Sequence, residues 1–469
     1  MKKIIYCLVI VFVMLVGSCN MNACKCSKEE VSFENDQVIT YYLDDDPNEV
    51  LKKIKLKVKS GGKETLIALN DQLVKVEKFL FDQVGDFTST VTYNNHQLDL
   101  KYRVEIRKWD KSIDTSWYDE NETTFEIKNA SELAGLAKLV NEGTNFVDKT
   151  VKLKYDIDLN HHHWTPIGTT GKGVYDDMSK FFSGTFDGNN KTIYNLNITA
   201  THETEGEHIS ESESYYHAGL FGYCKNVIIK NVKIENVKIL NGMGNGFVRS
   251  LQGTGSLAGR ISGNSKLENN KITGKIIIDG EYKVGGLVGS CSGEKITIDN
   301  CSVKGQKDSH VLGTDALYKD TNNFGGLVGY IDTSSASITN SYTDLLVSGF
   351  TAGGIIGNIT EGTLILENVC VYGDIANTEG SVVGGLIGGR FIDMTLKNCY
   401  VLGKVITSNE ENQYADIIIS KYGDLSHTIT HTEVYYNQNN YDENKVFNTL
   451  NAVGKTKEEL MQMIPEKLK

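Results

Sequence analysis

Proline is almost absent: the 469 residues hold 3 prolines against 46 glycines and 23 tyrosines. A proline inside a sheet removes a ladder hydrogen bond, so its scarcity leaves long stretches free to pair. With asparagine and threonine also plentiful, the mixture suits stacked β-turns and strands and argues against helical bundles. Long apolar runs are lacking beyond Ile4–Val16, and nothing else approaches the roughly 20 apolar residues that a spanning helix needs. Net positive charge is lacking too. The formal charge of −12 argues against nucleic acid or anionic lipid as partner. Nor do the cysteines form a disulfide framework. Cys7, Cys19, Cys24 and Cys26 crowd the N-terminus, and the odd set Cys224, Cys291, Cys301, Cys370 and Cys399 is irregularly spaced.

The N-terminus carries the sharpest local signal. Lys2 and Lys3 precede the apolar run, and Gly17, Ser18 and Cys19 follow it. The run is too short to span a membrane and reads as a secretory signal. Val16-Gly17-Ser18-Cys19 resembles a bacterial lipobox. That resemblance implies cleavage after residue 18, diacylation (palmitate or similar) of Cys19 and a membrane partner held through lipid. Each buried methylene would add about 0.8 kcal/mol. The expected location is a cell or outer membrane, facing the exterior or the periplasm. Residues 1–18 are then the signal and 19–29 a lipidated tether. The mature chain has about 451 residues and a charge of −14, because two lysines leave.

Residues 30–109 read as a small β domain. Ile54–Val58, Phe87–Tyr93 and Leu98–Ile106 alternate apolar with polar residues, and Asn94-Asn95 supplies a tight turn between the last two. The string GDFTSTVTYNNHQLDLKYRVEI resembles the last hairpin of bacterial immunoglobulin-like domains, which implies a small β-sandwich. Residues 110–123 read as a linker. A helix is predicted over Ser131–Asn141, capped by Asn129 or Ser131, with leucines at 133, 136 and 139 and a closing Gly143. Just before a repeat array, such a helix is expected to cap the first open rung.

The repeat follows. Ala218-Gly-Leu-Phe-Gly222, Gly255-Ser-Leu-Ala-Gly259, Gly285-Gly-Leu-Val-Gly289, Gly325-Gly-Leu-Val-Gly329, Gly353-Gly-Ile-Ile-Gly357 and Gly384-Gly-Leu-Ile-Gly388 are one phrase written six times. The closing glycines are 37, 30, 40, 28 and 31 residues apart, and Ala415–Ser420 is a weak seventh copy. A second phrase trails each copy, beginning at Asn231, Asn269, Asn300, Asn340, Asn368 and Asn398. Two phrases in fixed register, with length variation elsewhere, mark a solenoid with insertions. One repeat is too small to bury its own apolar face, and stacking rungs about 4.8 Å apart lets each strand pair with its copies. Leu220, Leu287, Leu327, Ile355 and Leu386 are expected to point inward, and the asparagines to bond along the stack as a ladder. The predicted fold is mainly β: a parallel β-helix-like solenoid with an N-terminal capping helix over 124–440, preceded by the immunoglobulin-like β-sandwich. A tail with a short helix occupies 441–469.

The glycine phrase resembles the GLUG motif of bacterial surface repeat proteins. FEIKNASELAGLAKLVNEG, DIDLNHHHWTPIG and FSGTFDGNNKTIYNLNI resemble the usual lead-in, and EVYYN and GKTKEEL the usual ending. The resemblance covers about residues 124–440 and implies a β-helical solenoid in exported, adhesin-like or surface proteins. The motif also occurs as an accessory module in immunoglobulin-A-cleaving metallopeptidases. No particular ligand is implied.

Chemistry-bearing clusters are few. His161, His162 and His163 are consecutive, and neighbours on a strand point to opposite faces, so they cannot ligate a metal together. His202 and His208 with Glu203, Glu205 and Glu207 lack the one-turn histidine spacing of a zinc peptidase; with Glu211 they read as a solvated acidic loop. Asp156 with Asp158 could form a glycosidase or lyase pair, but the resemblance implies that Asp156, Asp158 and Asp187 lie in framework turns. Cys301 and Cys399 share a register three rungs apart, too far for a disulfide, whereas Cys370 is expected to face outward as a free thiol. The insertions 168–181, 201–216, 241–254 and 305–323 are the better suspects. They carry Tyr175, Tyr215, Tyr216, Phe247, Arg249 and Tyr318, residue types enriched at binding hot spots. These features predict a membrane-anchored, adhesin-like binding or structural protein with no catalytic site, no cofactor and no metal, whose partner is an extracellular glycan or protein. The alternatives are a glycan-binding surface lipoprotein and a polysaccharide-degrading enzyme on a β-helix.

Overall fold

A computed structural model of the chain describes residues 28–35, 38–169, 171, 178–199, 215–241, 252–313, 322–407, 414–420, 423, 426–441 and 447–469, without the side chains of 378–381. The chain divides into two compact units. The first takes residues up to Tyr41 and Asp45–Val104, the second Tyr42–Asp44 and Glu105–Lys469.

The first unit holds two antiparallel sheets. Glu30–Phe33, Lys55–Ser60 and Lys63–Ala68 form one; Ile39–Tyr42, His96–Glu105, Gly85–Tyr93 and Val74–Glu77 form the other, in that order. The hairpin closes with Tyr93 opposite His96 and Asn94 at φ 51°, a left-handed conformation that asparagine tolerates. Alternation buries Leu100, Tyr102 and Val104 on one face. A short helix, α1 (Pro47–Lys53), starts on Asp46, whose carboxylate accepts from Asn48 N at 2.7 Å.

The second unit is dominated by a 26-stranded sheet whose pairings among the described residues are all parallel. Each strand pairs with its equivalent one repeat later, as in stacked coils of a solenoid. Leu267, Ile298, Ile338, Leu366 and Leu396 stand in register on five successive strands and are all buried. The aliphatic residues of the glycine phrase form a second inward column. Leu257 N donates to Leu287 O (2.9 Å), Leu287 N to Leu327 O (3.0 Å), Leu327 N to Ile355 O (3.1 Å), Ile355 N to Leu386 O (2.9 Å) and Leu386 N to Ile418 O (2.7 Å). The last of these brings the weak seventh copy onto the stack.

The glycines serve close approach. A Cβ on Gly286 would lie 2.1 Å from Gly326 O in the next rung. At Gly222, Gly259, Gly289, Gly329, Gly357 and Gly388 it would lie 2.2–2.6 Å from backbone atoms across the corner. The asparagines occupy the opposite kind of corner. All six have φ between 50° and 56°. Asn269 donates to Asn231 Oδ1 (2.8 Å), Asn300 to Asn269 (3.1 Å), Asn368 to Asn340 (3.1 Å) and Asn398 to Asn368 (3.0 Å). The ladder breaks once: Asn340 donates to the Asp299 carboxylate at 2.7 Å, a charged and stronger acceptor.

Helix α2 (Ala130–Asn141) is capped by Asn129, which accepts from Glu132 N at 3.0 Å. Its Leu133, Leu136 and Val140 are fully buried in one core with Phe125, Val151 and Trp164. Residues 110–123, expected as a linker, pack here. Trp117 and Tyr118 lie against that core, and a Cβ on Gly135 would come within 1.9 Å of Asp114 O. Trp109 sets its ring edge-on to Trp164 at 5.6 Å, so the contact boundary falls before Glu105 rather than after residue 109.

Two expectations need correction. Cys370 does point away from the inner column, but it is fully buried, because helix α3 (Lys457–Met463) and the residues after it lie over that face. Leu460, Ile464 and Leu468 pack there with Cys370, Tyr400 and Leu402. The insertions are also shorter than drawn, since Gly253–Gly255 and His310–Gly313 are rungs of the stack.

Candidate functional site

The strands that precede the insertions end in register. Thr199 pairs with Leu240, Leu240 with Asp279 and Asp279 with Leu312. The strands that resume are also in register, through His217, Gly253, Lys283, Asn323 and Thr351. The described strands on either side of 200–214, 242–251 and 314–321 therefore end and resume in register along a single edge of the stack.

A second column faces that edge. Tyr223, Arg260, Ser290, Tyr330 and Asn358 pair in turn on successive coils. Each is the residue after the closing glycine of its phrase, where the chain has just turned the tight corner. The two columns touch. Lys283 Nζ sits 4.0 Å from the Tyr330 ring centroid, Arg260 stands over the Tyr223 ring at 5.6 Å, and the His217 and Tyr223 rings are 5.9 Å apart. Tyr223 Oη bonds Ser262 Oγ and Tyr330 Oη bonds Thr360 Oγ1, both at 2.8 Å.

Two cations, Arg260 and Lys283, lie here with Asp332 and Glu361 near them. Burial, followed by the neighbouring Arg260 cation, pushes the Lys283 ammonium down to about 8, with Asp332 opposing. Burial, Arg260 and Lys283 together hold His217 well below the ordinary histidine range. Several polar atoms are buried without a hydrogen-bond partner. Arg260 Nε, Ser290 Oγ and Asn358 Oδ1 are among them, an arrangement that costs free energy unless something is bound.

Other candidates fall elsewhere. Tyr215 and Tyr216 are 3% and 7% exposed, and Tyr215 Oη lies 3.0 Å from His163 Nε2, so both belong to the packing at the foot of an insertion. His162 turns instead toward Asn160 and the Trp109 ring. Asp158 accepts from Asn160 N and Asn195 Nδ2, each at 2.8 Å. Asp187 accepts from Asn189 N (2.8 Å) and Asn231 Nδ2 (2.9 Å), and Asp156 from Thr192 N (2.7 Å). All three carboxylates are framework acceptors. Among the described residues no group of three histidine, cysteine or acidic side chains is placed to hold a metal ion. Cys19, Tyr175, Phe247, Arg249, Tyr318, His202, Glu203, Glu205, Glu207, His208 and Glu211 lie outside the described residues.

The column of Tyr223, Arg260, Ser290 and Tyr330 escaped the sequence reading, as did Lys283. The signal was one residue past the phrase: Gly259-Arg260 and Gly329-Tyr330 carry large polar groups at a position the repeat holds fixed.

The chain matches no protein-family model. It is 24% identical over 338 residues to an immunoglobulin A1 protease of Streptococcus pneumoniae strain ATCC BAA-255 / R6, covering 69% of this chain and 15% of that protein. A second immunoglobulin A1 protease of Streptococcus pneumoniae is 23% identical over 347 residues, covering 70% of this chain and 15% of that protein. The chain thus spans about 15% of the length of these relatives. Two solved structures also align at 18% identity. One, a candidate immunoglobulin A1 protease from Bacteroides ovatus, has a TM-score of 0.43 over 73% of this chain and 86% of that chain. The other, named IgA1 Protease, has a TM-score of 0.48 over 88% of this chain and 29% of that chain. The names correct the functional expectation. The proteins that share this region are named as proteases, not as adhesins or lipoproteins, so the prediction of a non-catalytic adhesin-like lipoprotein does not stand. It rested on the resemblance to bacterial surface repeat proteins and on the lack of a catalytic motif in this chain.

Proposed function

We propose that this chain works in immunoglobulin A1 proteolysis, its stacked coils engaging the substrate protein along the edge that carries Tyr223, Arg260, Lys283 and Tyr330. One observation carries the proposal: the match to immunoglobulin A1 proteases runs over 338 residues and 69% of the chain. The edge of Tyr223, Arg260, Lys283 and Tyr330 supports it by supplying the charged and aromatic groups favoured at protein interfaces. In the same proposal the glycine phrases are GLUG motifs, α2 caps the first rung, and the two antiparallel sheets are an immunoglobulin-like domain. The parallel register, the burial of α2 and the antiparallel hairpin support these assignments in turn. The chain would act outside the cytoplasm, where immunoglobulin is found.

The test is direct. The full chain is incubated with immunoglobulin A1 and with immunoglobulin G. Complex formation is read by biolayer interferometry and heavy-chain fragmentation by mass spectrometry. Saturable binding or fragmentation selective for immunoglobulin A1 is expected; indifference to both classes overturns the proposal.

A further inference from the structure

The two helices of the second unit are attached in different ways. Helix α2 sits inside the main core with Phe125, Val151 and Trp164. Helix α3 and the residues after it stay outside the stack. Leu460, Ile464 and Leu468 recur every four residues and pack with Cys370, Tyr400 and Leu402 in a separate apolar cluster. α3 lies against the strand Ile429–Asn437, and Glu466–Leu468 against Ile356–Val371 and Val328–Asp344. The segment therefore runs back across the outer face of successive coils. Beneath it Tyr342, Cys370, Tyr400 and Tyr435 stand in register, one to a coil.

Its hydrogen bonds set the segment apart. Among the described residues, the coils beneath pair strand to strand without it. Val453–Lys455 still pairs with Tyr435–Asn437, so the ladder ends just before Thr456. From there the backbone bonds close on the segment itself. Leu460 N donates to Thr456 O (3.0 Å), Ile464 N to Leu460 O (2.9 Å) and Leu468 N to Pro465 O (2.9 Å). Thr456 and Glu459 cap its start reciprocally. Its ties to the coils run through side chains. Tyr372 Oη donates to Leu468 O at 2.8 Å, Lys304 Nζ to Lys469 O at 3.5 Å, and Lys467 Nζ to Asn340 Oδ1.

Lifting the segment thus exposes three aliphatic anchors and breaks side-chain bonds, while the ladder of the coils stays whole. An element held by few apolar contacts opens at a lower free energy than the fold as a whole. We propose that residues 456–468 form a strap that opens and closes over the tyrosine face as a unit of its own, hinged at Thr456, while the coils stay folded. Closed, the strap masks the face; open, it bares Tyr342, Tyr400 and Tyr435 together. The device holds whether or not the chain acts on immunoglobulin.

Cys370 reports the motion. Cys224, Cys291, Cys301 and Cys399 belong to the main core, whereas Cys370 belongs to the cluster under the strap. The full chain is pulsed with iodoacetamide in urea below its unfolding midpoint. Alkylation of each cysteine is read by peptide mass spectrometry, and the fold by far-ultraviolet circular dichroism. Cys370 should react at least about tenfold faster than the four core thiols, a gap of about 1.4 kcal/mol, with the circular dichroism unchanged. Leu460→Ala should speed Cys370 by about thirtyfold or more and leave the other four as they were. Ile464→Val, a milder change, should speed it about twofold to tenfold, and it decides if Leu460→Ala fails to fold. Reaction of all five cysteines only as the circular dichroism signal is lost overturns the strap. So does a strap substitution that speeds all five alike, because the segment would then open only with the coils.

Discussion

Two corners of the same coil use the repeat in opposite ways. At the asparagine corner one residue type recurs on six rungs, its left-handed backbone is held at φ 50–56°, and each amide donates along the stack. At the corner after the glycine phrase the recurring position holds Tyr223, Arg260, Ser290, Tyr330 and Asn358 in turn, and buried donors and acceptors are left over. A solenoid repeats its backbone, so every corner receives the same register. Where side chains repeat too, the corner closes on itself as a ladder. Where they vary, the same register gathers unlike groups and leaves valence for something else. Structure and site thus differ here in side-chain variety, not in fold.

The comparison breaks first if the shared backbone does. Leu327 is fully buried and lies between the rungs of Leu287 and Ile355. Leu327→Ala should cost about 2–5 kcal/mol in a denaturant melt and weaken both corners together; a loss confined to one would show that they do not share a frame. The next effect belongs to the variable corner alone. Burial and Arg260 lower Lys283 from 10.5 to about 8, so between those values the unfolded chain binds more protons than the folded one. Stability should therefore rise with pH through that window, by on the order of 2–3 kcal/mol for a shift of this size. The deficit is fully present below pH 8, where both states are protonated. Lys283→Met should abolish the rise in melts taken from pH 7.5 to 10.5; an unchanged slope would place the charge in water.

What could be read in advance follows the same division. Leu287, Leu327, Ile355 and Leu386 announced an inward column because spacing and residue type recur together. The six asparagines announced the ladder but not its positive φ, which follows only once the coil must turn at that residue. Helix α2 was visible from its leucines and Asn129, though it starts at Ala130. The variable corner was harder, because no single residue type marks it and only the stacking brings Arg260 beside Lys283. The burial of Cys370 was out of reach, since it depends on α3, whose attachment to that face no local pattern reveals. Residues 110–123 misled for a related reason: a polar stretch hides the anchoring of Trp117.

Smaller substitutions sharpen the contrast. Asn300 has φ 51° and donates to Asn269 at 3.1 Å. Asn300→Ala loses the bond and strains the backbone, whereas Asn300→Gly loses only the bond. The first should cost about 1–3 kcal/mol and the second about 1 kcal/mol or less. Equal losses would mean that the left-handed turn carries no strain for alanine.

The smallest effect is the most telling. Ser290→Ala removes a hydroxyl that is 4% exposed and unpartnered, so no intramolecular bond is lost. Stability should stay within about 0.5 kcal/mol of the unaltered chain or rise slightly. The adjacent inward residue Cys291 and the register partner Arg260 keep their places, because alanine fits wherever serine does. A loss above about 1 kcal/mol would mean that Ser290 Oγ already has a full bond inside the chain. The variable corner would then be a ladder like the other, and the difference between the two would vanish.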